Sequence, residues 1–124
     1  MKSRIIEWIP FYPDRVVWIS VAKLDASWRH DVGAYVSVNA TGLGNAMPER
    51  YWGFGEWLAE GRKVWMPDVG LSDGHISFND GRHRFAWLRD HGVRALPVTV
   101  SPRIEAEMER RFGTKSRTSR LVWR

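Results

Sequence analysis

Apolar residues along the chain fall in short clusters, and each cluster carries the period of one kind of element. Val16-Val17-Trp18-Ile19-Ser20-Val21 is rich in β-branched and aromatic residues and predicts a buried strand. Lys23-Leu24-Asp25 follows, and Ala26-Ser27-Trp28-Arg29 reads as a short helical turn. Ala34-Tyr35-Val36-Ser37-Val38 alternates apolar and polar positions, which predicts a second strand. Thr41-Gly42-Leu43-Gly44-Asn45 is a loop by composition. Pro48 is placed to open a helix on which Tyr51, Phe54, Trp57 and Leu58 share one face, with Gly61 to end it. Gly53 and Gly55 weigh against that helix, since each costs ~1 kcal/mol relative to Ala in a helix interior. Val64-Trp65-Met66 is a short apolar run that Pro67 closes.

The sharpest unit comes next. His75-Ile76-Ser77-Phe78-Asn79 predicts a strand with Ile76 and Phe78 on one face, and Asp80-Gly81 breaks it. Arg82 to His91 then predicts a helix, with Phe85 and Leu88 one turn apart and Gly92 at its end. Leu96-Pro97-Val98-Thr99-Val100 is another strand, followed by Pro102 and a charged helix from Arg103 to Phe112. From Gly113 onward the chain is expected to be loose, with Leu121-Val122-Trp123 able to dock back. No repeat and no long linker divides the 124 residues, so residues 1–124 are read as one α+β domain with a basic tail from about 113.

Composition narrows the chemistry. The chain has no cysteine, which removes thiolate nucleophiles, disulfides and cysteine-based zinc sites. No apolar run approaches the ~20 residues of a membrane span, and the start is too short in its apolar part for a signal peptide. A cytoplasmic protein without membrane insertion is expected. The formal charge of +5 favours polyanionic partners. Its distribution says more: Arg110, Arg111, Lys115, Arg117, Arg120 and Arg124 follow one another with no acidic residue between them. Such a tail can grip nucleic-acid phosphates or simply be solvated.

The turn Asp80-Gly81-Arg82-His83-Arg84 concentrates the candidate chemistry. The first turn of a helix leaves about four backbone N–H groups without intrahelical partners, and the macrodipole makes that end positive. Arg82 and Arg84 add guanidinium forks suited to phosphate, and His83 adds a group that titrates near neutrality. Gly81 lets the backbone approach a ligand or adopt positive φ. Asp80 supplies a carboxylate for a metal-bound water or for a cap. The competing reading makes Asp80 the helix cap, pairs the two arginines with acids such as Asp90, and leaves His83 exposed.

The stretch from Ile76 to Arg89, with Gly92 and Leu96-Pro97-Val98 after it, resembles the central motif of the ParB/sulfiredoxin superfamily. There a strand runs into a Gly-led basic turn and a helix, and an Ile-Pro-Val strand closes the unit. The resemblance covers roughly residues 16 to 101. It implies a compact ParB/sulfiredoxin-like domain with a small mixed sheet and flanking helices, and phosphate binding at Gly81, Arg82, His83 and Arg84. Sulfiredoxins need a catalytic Cys before this turn, so sulfinic acid reduction is excluded. Partition ParB proteins carry Gly-Glu-Arg-Arg at the turn and a helix-turn-helix domain beyond it, neither of which is present in these residues. Asp80 to Gly92, after Arg50-Tyr51 and Met66-Pro67, is similar instead to the plasmid fertility inhibition factor group. That group suppresses DNA transfer by rival conjugative plasmids, and ATPase and DNase activities have been ascribed to it. The resemblance therefore implies ATP or another nucleoside triphosphate, with Mg²⁺, and nucleotide or DNA as partner. Asp80 and His83 would be the catalytic pair and Asp80 the metal-facing carboxylate. The alternative is a non-enzymatic interaction protein or nucleotide-sensing switch that blocks a conjugation or secretion component.

Three other patterns carry weaker expectations. His75, His83 and His91, with Asp68, Asp73 and Asp80 nearby, have metal-binding types without a known ligand spacing. Gly42-Leu43-Gly44-Asn45 lacks the Lys-Ser/Thr of a P-loop, and a plain loop is expected there before a phosphate loop or lid. Of eight tryptophans, Trp18, Trp57 and Trp65 are expected in the core, while Trp28, Trp52 and Trp87 are candidates for exposure and base stacking.

Overall fold

The computed structural model describes residues 2–11, 14–41 and 47–123. Its elements in chain order begin with strands β1 (Lys2–Ile5), β2 (Trp8–Ile9) and β3 (Arg15–Ser20) and helix α1 (Val21–Trp28). A 3-10 turn (Val38–Ala40) and helix α2 (Pro48–Ala59) follow, then β4 (Val64–Trp65), β5 (Asp68–Ser72) and β6 (His75–Asp80). Helix α3 (Arg82–Asp90), β7 (Ala95–Val100), a 3-10 turn (Pro102–Ile104), α4 (Glu105–Phe112) and β8 (Arg120–Trp123) complete the chain. The fold is α+β. Among the described residues no helix is long and apolar enough to cross a membrane.

A four-stranded mixed sheet in the order β3-β7-β5-β6 forms the centre, antiparallel except where β7 runs parallel to β5. Every residue of β7 is buried. Pro97 is tolerated in that strand because its nitrogen faces the same side as that of Thr99, where β5 pairs only at Thr99; the missing donor costs no ladder bond. Trp28 packs at 4.5 Å from Phe78 and 5.7 Å from Phe85, joining α1, β6 and α3. Two small sheets flank the centre: β2 with β4, parallel, and β1 with β8, antiparallel.

Local chemistry explains most elements. Ser20 ends β3 and caps α1, its Oγ accepting from the Lys23 N–H at 3.3 Å. The cap stops the first strand one residue short of Val21. It also opens a full helix that takes in Lys23-Leu24-Asp25, where a short turn at 26–29 is expected from sequence. In α2, Pro48 sits in the first turn, and Tyr51, Phe54 and Leu58 are buried. Gly55 has a packing reason: a Cβ there would lie 2.6 Å from Trp87 Nε1, so α2 and α3 approach over it. Asp73 and Gly74, with φ of 51° and 78°, form the two-residue turn between β5 and β6.

Three expectations are corrected. Residues 34–38 form no strand: the Ala34 and Tyr35 amides both donate to Asp31 O, and no strand lies alongside. Val36 is buried all the same, whereas Val38, the next apolar position of the alternation, is exposed. The segment after Gly113 is not loose, because β8 pairs with β1 and Ser119 Oγ donates to Ala95 O at 2.7 Å. Among the tryptophans, Trp65 is 46% exposed, whereas Trp28 is fully buried. The phosphate-loop or lid expectation for Gly42-Leu43-Gly44-Asn45 lies outside the described residues.

Candidate functional site

Strand β6 ends at Asp80, Gly81 takes φ 87°, and α3 starts at Arg82. A side chain at 81 would meet Pro67 Cα at 3.0 Å and the Arg84 guanidinium at 2.7 Å, so the turn requires glycine for both conformation and space. Gly81 cannot cap α3 and no side chain does so in its place, which leaves first-turn amides for solvent or an anion. Asp80 is therefore not the cap. Its carboxylate pairs with Arg84 Nη2 at 3.2 Å, and Arg84 Nε donates to Trp65 O at 3.2 Å. Arg84 thus ties the turn to β4 as well as bearing charge.

A cleft of about 340 Å³ opens on this turn, lined by Arg50, Phe78, Asn79 and residues 80–84. The structure brings together all five turn residues expected from sequence and adds Arg50. That residue stands in the first turn of α2, as Arg82 stands in the first turn of α3. A cation at a helix start opposes the macrodipole, and two such cations on one cleft favour an anion between them. In the sequence Arg50 shows only as a cation two residues after Pro48, and its place on this cleft is seen only in three dimensions.

His83 departs from the exposed position of the competing reading. It is 8% exposed, and its Nε2 accepts the Met47 N–H at 3.2 Å. Met47 is the N-cap of α2 and has no side-chain cap bond, so the imidazole ties the two helix starts together. An accepting Nε2 puts the proton of the neutral ring on Nδ1. Burial pushes the imidazole down to about 4, with the charges of Arg82 and Arg50 acting in the same direction and Glu49 opposing. His83 is neutral at neutral pH.

The remaining candidates are dispersed. His75 stacks on His30 at 3.9 Å and His91 on Trp87 at 3.7 Å, both apart from His83. No group of three His, Cys, Asp or Glu that could hold a metal occurs among the described residues. Asp68 lies opposite Asp80 in the strand register; burial, then the charges of Asp14 and Asp80, push its carboxyl up. In the basic tail, Arg110 and Lys115 are exposed. Arg111 pairs with Glu107 at 2.9 Å, Arg117 donates to two carbonyls, and Arg120 donates to Ser3 Oγ.

At the other end of α3 lies a polar network that sequence reading does not find. Arg89 bridges Asp25 at 3.0 Å and Asp90 at 2.8 Å, and Tyr35 donates to Asp25. Asp90 also accepts from Tyr51 at 2.7 Å and from the Asn39 N–H at 3.0 Å. Burial alone would raise the Asp90 carboxyl, but the bonds from Arg89, Asn39 and Tyr51 hold it below the usual range. Its partners lie up to 51 residues away, and no local pattern announces them.

The sequence profile of the plasmid fertility inhibition factor family matches residues 16–113, from β3 to the residue that follows α4. No curated protein sequence matches. Among solved structures, the chain is similar to the crystal structure of Oncogenic Suppression Activity Protein, a plasmid fertility inhibition factor, as its gold(I) cyanide derivative. The identity is 22% and the TM-score 0.60, over 86% of this chain and 58% of that one. The chain thus spans less than two thirds of that protein, and the likeness is one of fold. A profile match over most of the chain decides the question of kinship: this protein belongs to the plasmid fertility inhibition factor family.

Proposed function

We propose that the chain binds phosphate groups, of a nucleoside triphosphate or of DNA, in the cleft at the start of α3, and that it serves to inhibit conjugative DNA transfer. The observation that carries the first part is the convergence of Arg50 and Arg82, from two helix starts, on an uncapped glycine turn. The second part rests on family membership. Kinship with the ParB/sulfiredoxin superfamily belongs to the same reading, since that likeness is centred on this turn. Mg²⁺ would enter with the nucleotide, held by Asp80 and phosphate oxygens. The exposed Arg110 and Lys115 would add non-specific grip on DNA.

Two forms of the reading differ in chemistry. As an ATPase or DNase, the protein would use Asp80 to position a metal-bound water and His83 to move a proton. As a nucleotide-responsive binder that blocks a conjugation or secretion component, it would need neither step. The second form has a specific observation in its favour: Nε2 of His83 is engaged by Met47, and Asp80 is engaged by Arg84.

Isothermal titration of ATP, CTP and GTP with Mg²⁺, and of a short DNA duplex, tests the site. Wild type should bind at least one of them, and Arg82→Ala or Arg50→Ala should each weaken that affinity about tenfold or more, as for a lost charge-assisted bond. Absence of binding to all of them, or equal binding by both variants, would remove the site. Multiple turnovers that vanish in Asp80→Ala and His83→Ala would establish the enzymatic form.

A further inference from the structure

A second surface is completed by two strands, β1 and β8, that lie outside the span matching the family profile, and the phosphate cleft does not account for it. The β1–β8 ribbon rests beside α2 and α3 and leaves an apolar groove of about 490 Å³, lined among others by Leu58, Trp87, Leu121 and Trp123. Trp123, on the same ribbon face as Leu121 and Arg4, is 43% exposed at the lip of the groove, and Val122 beside it is 42% exposed. An exposed tryptophan over an apolar groove marks a contact area. Neither outer edge of the ribbon has a partner strand among the described residues.

The charge on this groove is one-sided. Arg4 lines it, half-buried, and donates to the carbonyls of Leu58 and Arg62 at the end of α2. It has no carboxylate partner among the described residues. Lys2 and Arg120 lie on the same two strands, which carry no acid, and no carboxylate lines the groove. An arginine held only by carbonyls can donate a charge-assisted hydrogen bond to a carboxylate.

We propose that this groove docks an extended segment of a partner protein, one that presents apolar side chains to Leu58, Trp87 and Trp123 and an Asp or Glu carboxylate to Arg4. The open ribbon edge supplies main-chain partners for such a segment, and the groove and Arg4 supply its selectivity. Tryptophan and arginine are the residue types that dominate binding at protein interfaces. This inference is independent of the phosphate cleft.

Selection of a random dodecapeptide display library on the full chain tests it. The expected outcome is enrichment of peptides that combine acidic and large apolar residues. Synthetic copies of these should bind Trp123→Ser and Arg4→Gln about tenfold more weakly than wild type and bind Arg82→Ala equally well. Arg4 also ties the ribbon to α2, so Trp123→Ser, at an exposed position, gives the decisive comparison. No enrichment, enrichment of sequences without acids, or unchanged affinity in Trp123→Ser would overturn the proposal. Binding to phosphatidylglycerol vesicles without peptide enrichment would assign the surface to a membrane instead. A concentration-dependent dimer abolished by Trp123→Ser would assign it to a second copy of the chain.

Discussion

His83 shows how far a residue type can stray from its usual role. A histidine between two arginines suggests a titrating group at neutral pH, yet this one is enclosed by α2 and holds the Met47 amide. Its folded pKa, about 4, lies below the ordinary 6.5, so the unfolded chain binds the proton first as pH falls. The stability contributed by the neutral ring is complete above about 6.5 and is lost as pH drops towards about 4. Denaturant titrations across that window should show wild type losing on the order of 1–2 kcal/mol more than His83→Gln. Parallel losses in the two proteins would refute the assignment. The turn itself was legible because its chemistry is local: Gly81, Arg82 and Arg84 are neighbours in sequence. The partners that decide what they do, Met47, Trp65 and Arg50, come from other elements and had to be seen in three dimensions.

Helix α2 poses the converse problem at the scale of the element. Two glycines in three residues argue against a helix by propensity, and the helix forms nonetheless. The two glycines have different reasons. Gly55 makes room for the Trp87 indole, whereas a Cβ at Gly53 would meet nothing within 4 Å. Gly55→Ala should therefore destabilise the protein by roughly 1–3 kcal/mol through overpacking. Gly53→Ala should stabilise it by about 0.5–1 kcal/mol through helix propensity. Thermal melts of the two variants check both signs. Strands fared unevenly. β3, β6 and β7 were read from their β-branched and aromatic runs. β5 was missed because Gly70 dilutes its pattern, although Asp73-Gly74 is a hairpin signal in its own right. The false strand at 34–38 arose because Ala34, Val36 and Val38 alternate in sequence, although only Val36 is buried and Val38 is exposed.

For the molecule as a whole, α3 carries one polar cluster at each end. Its start faces the arginine-lined cleft, and its end is clasped by Asp25, Tyr35, Tyr51 and Asp90 around Arg89. The clasp fixes the helix, so the cleft is presented by a rigid scaffold and not by a free loop. The run from β6 through α3 and β7 to α4, and the α+β class with it, followed from hydrophobic period, whereas β1, β2 and β5 did not. The placement of the tail did not, because a single apolar triplet in a basic segment says nothing of its partner strand. That pairing has a kinetic meaning. Lys2 pairs with Trp123 and Ile5 with Arg120, so the ribbon closes across nearly the whole chain, whereas β6, the turn and α3 form within a few residues of one another. Long closures form late and open early. Amide exchange should accordingly be faster in Arg4 and Leu121, a hydrogen-bonded pair of the ribbon, than in β7, and equal protection would contradict it. The two surfaces should then differ in lifetime: the cleft at the start of α3 should persist as long as the core does, while the groove beside the ribbon should open and close many times within one folded life of the protein.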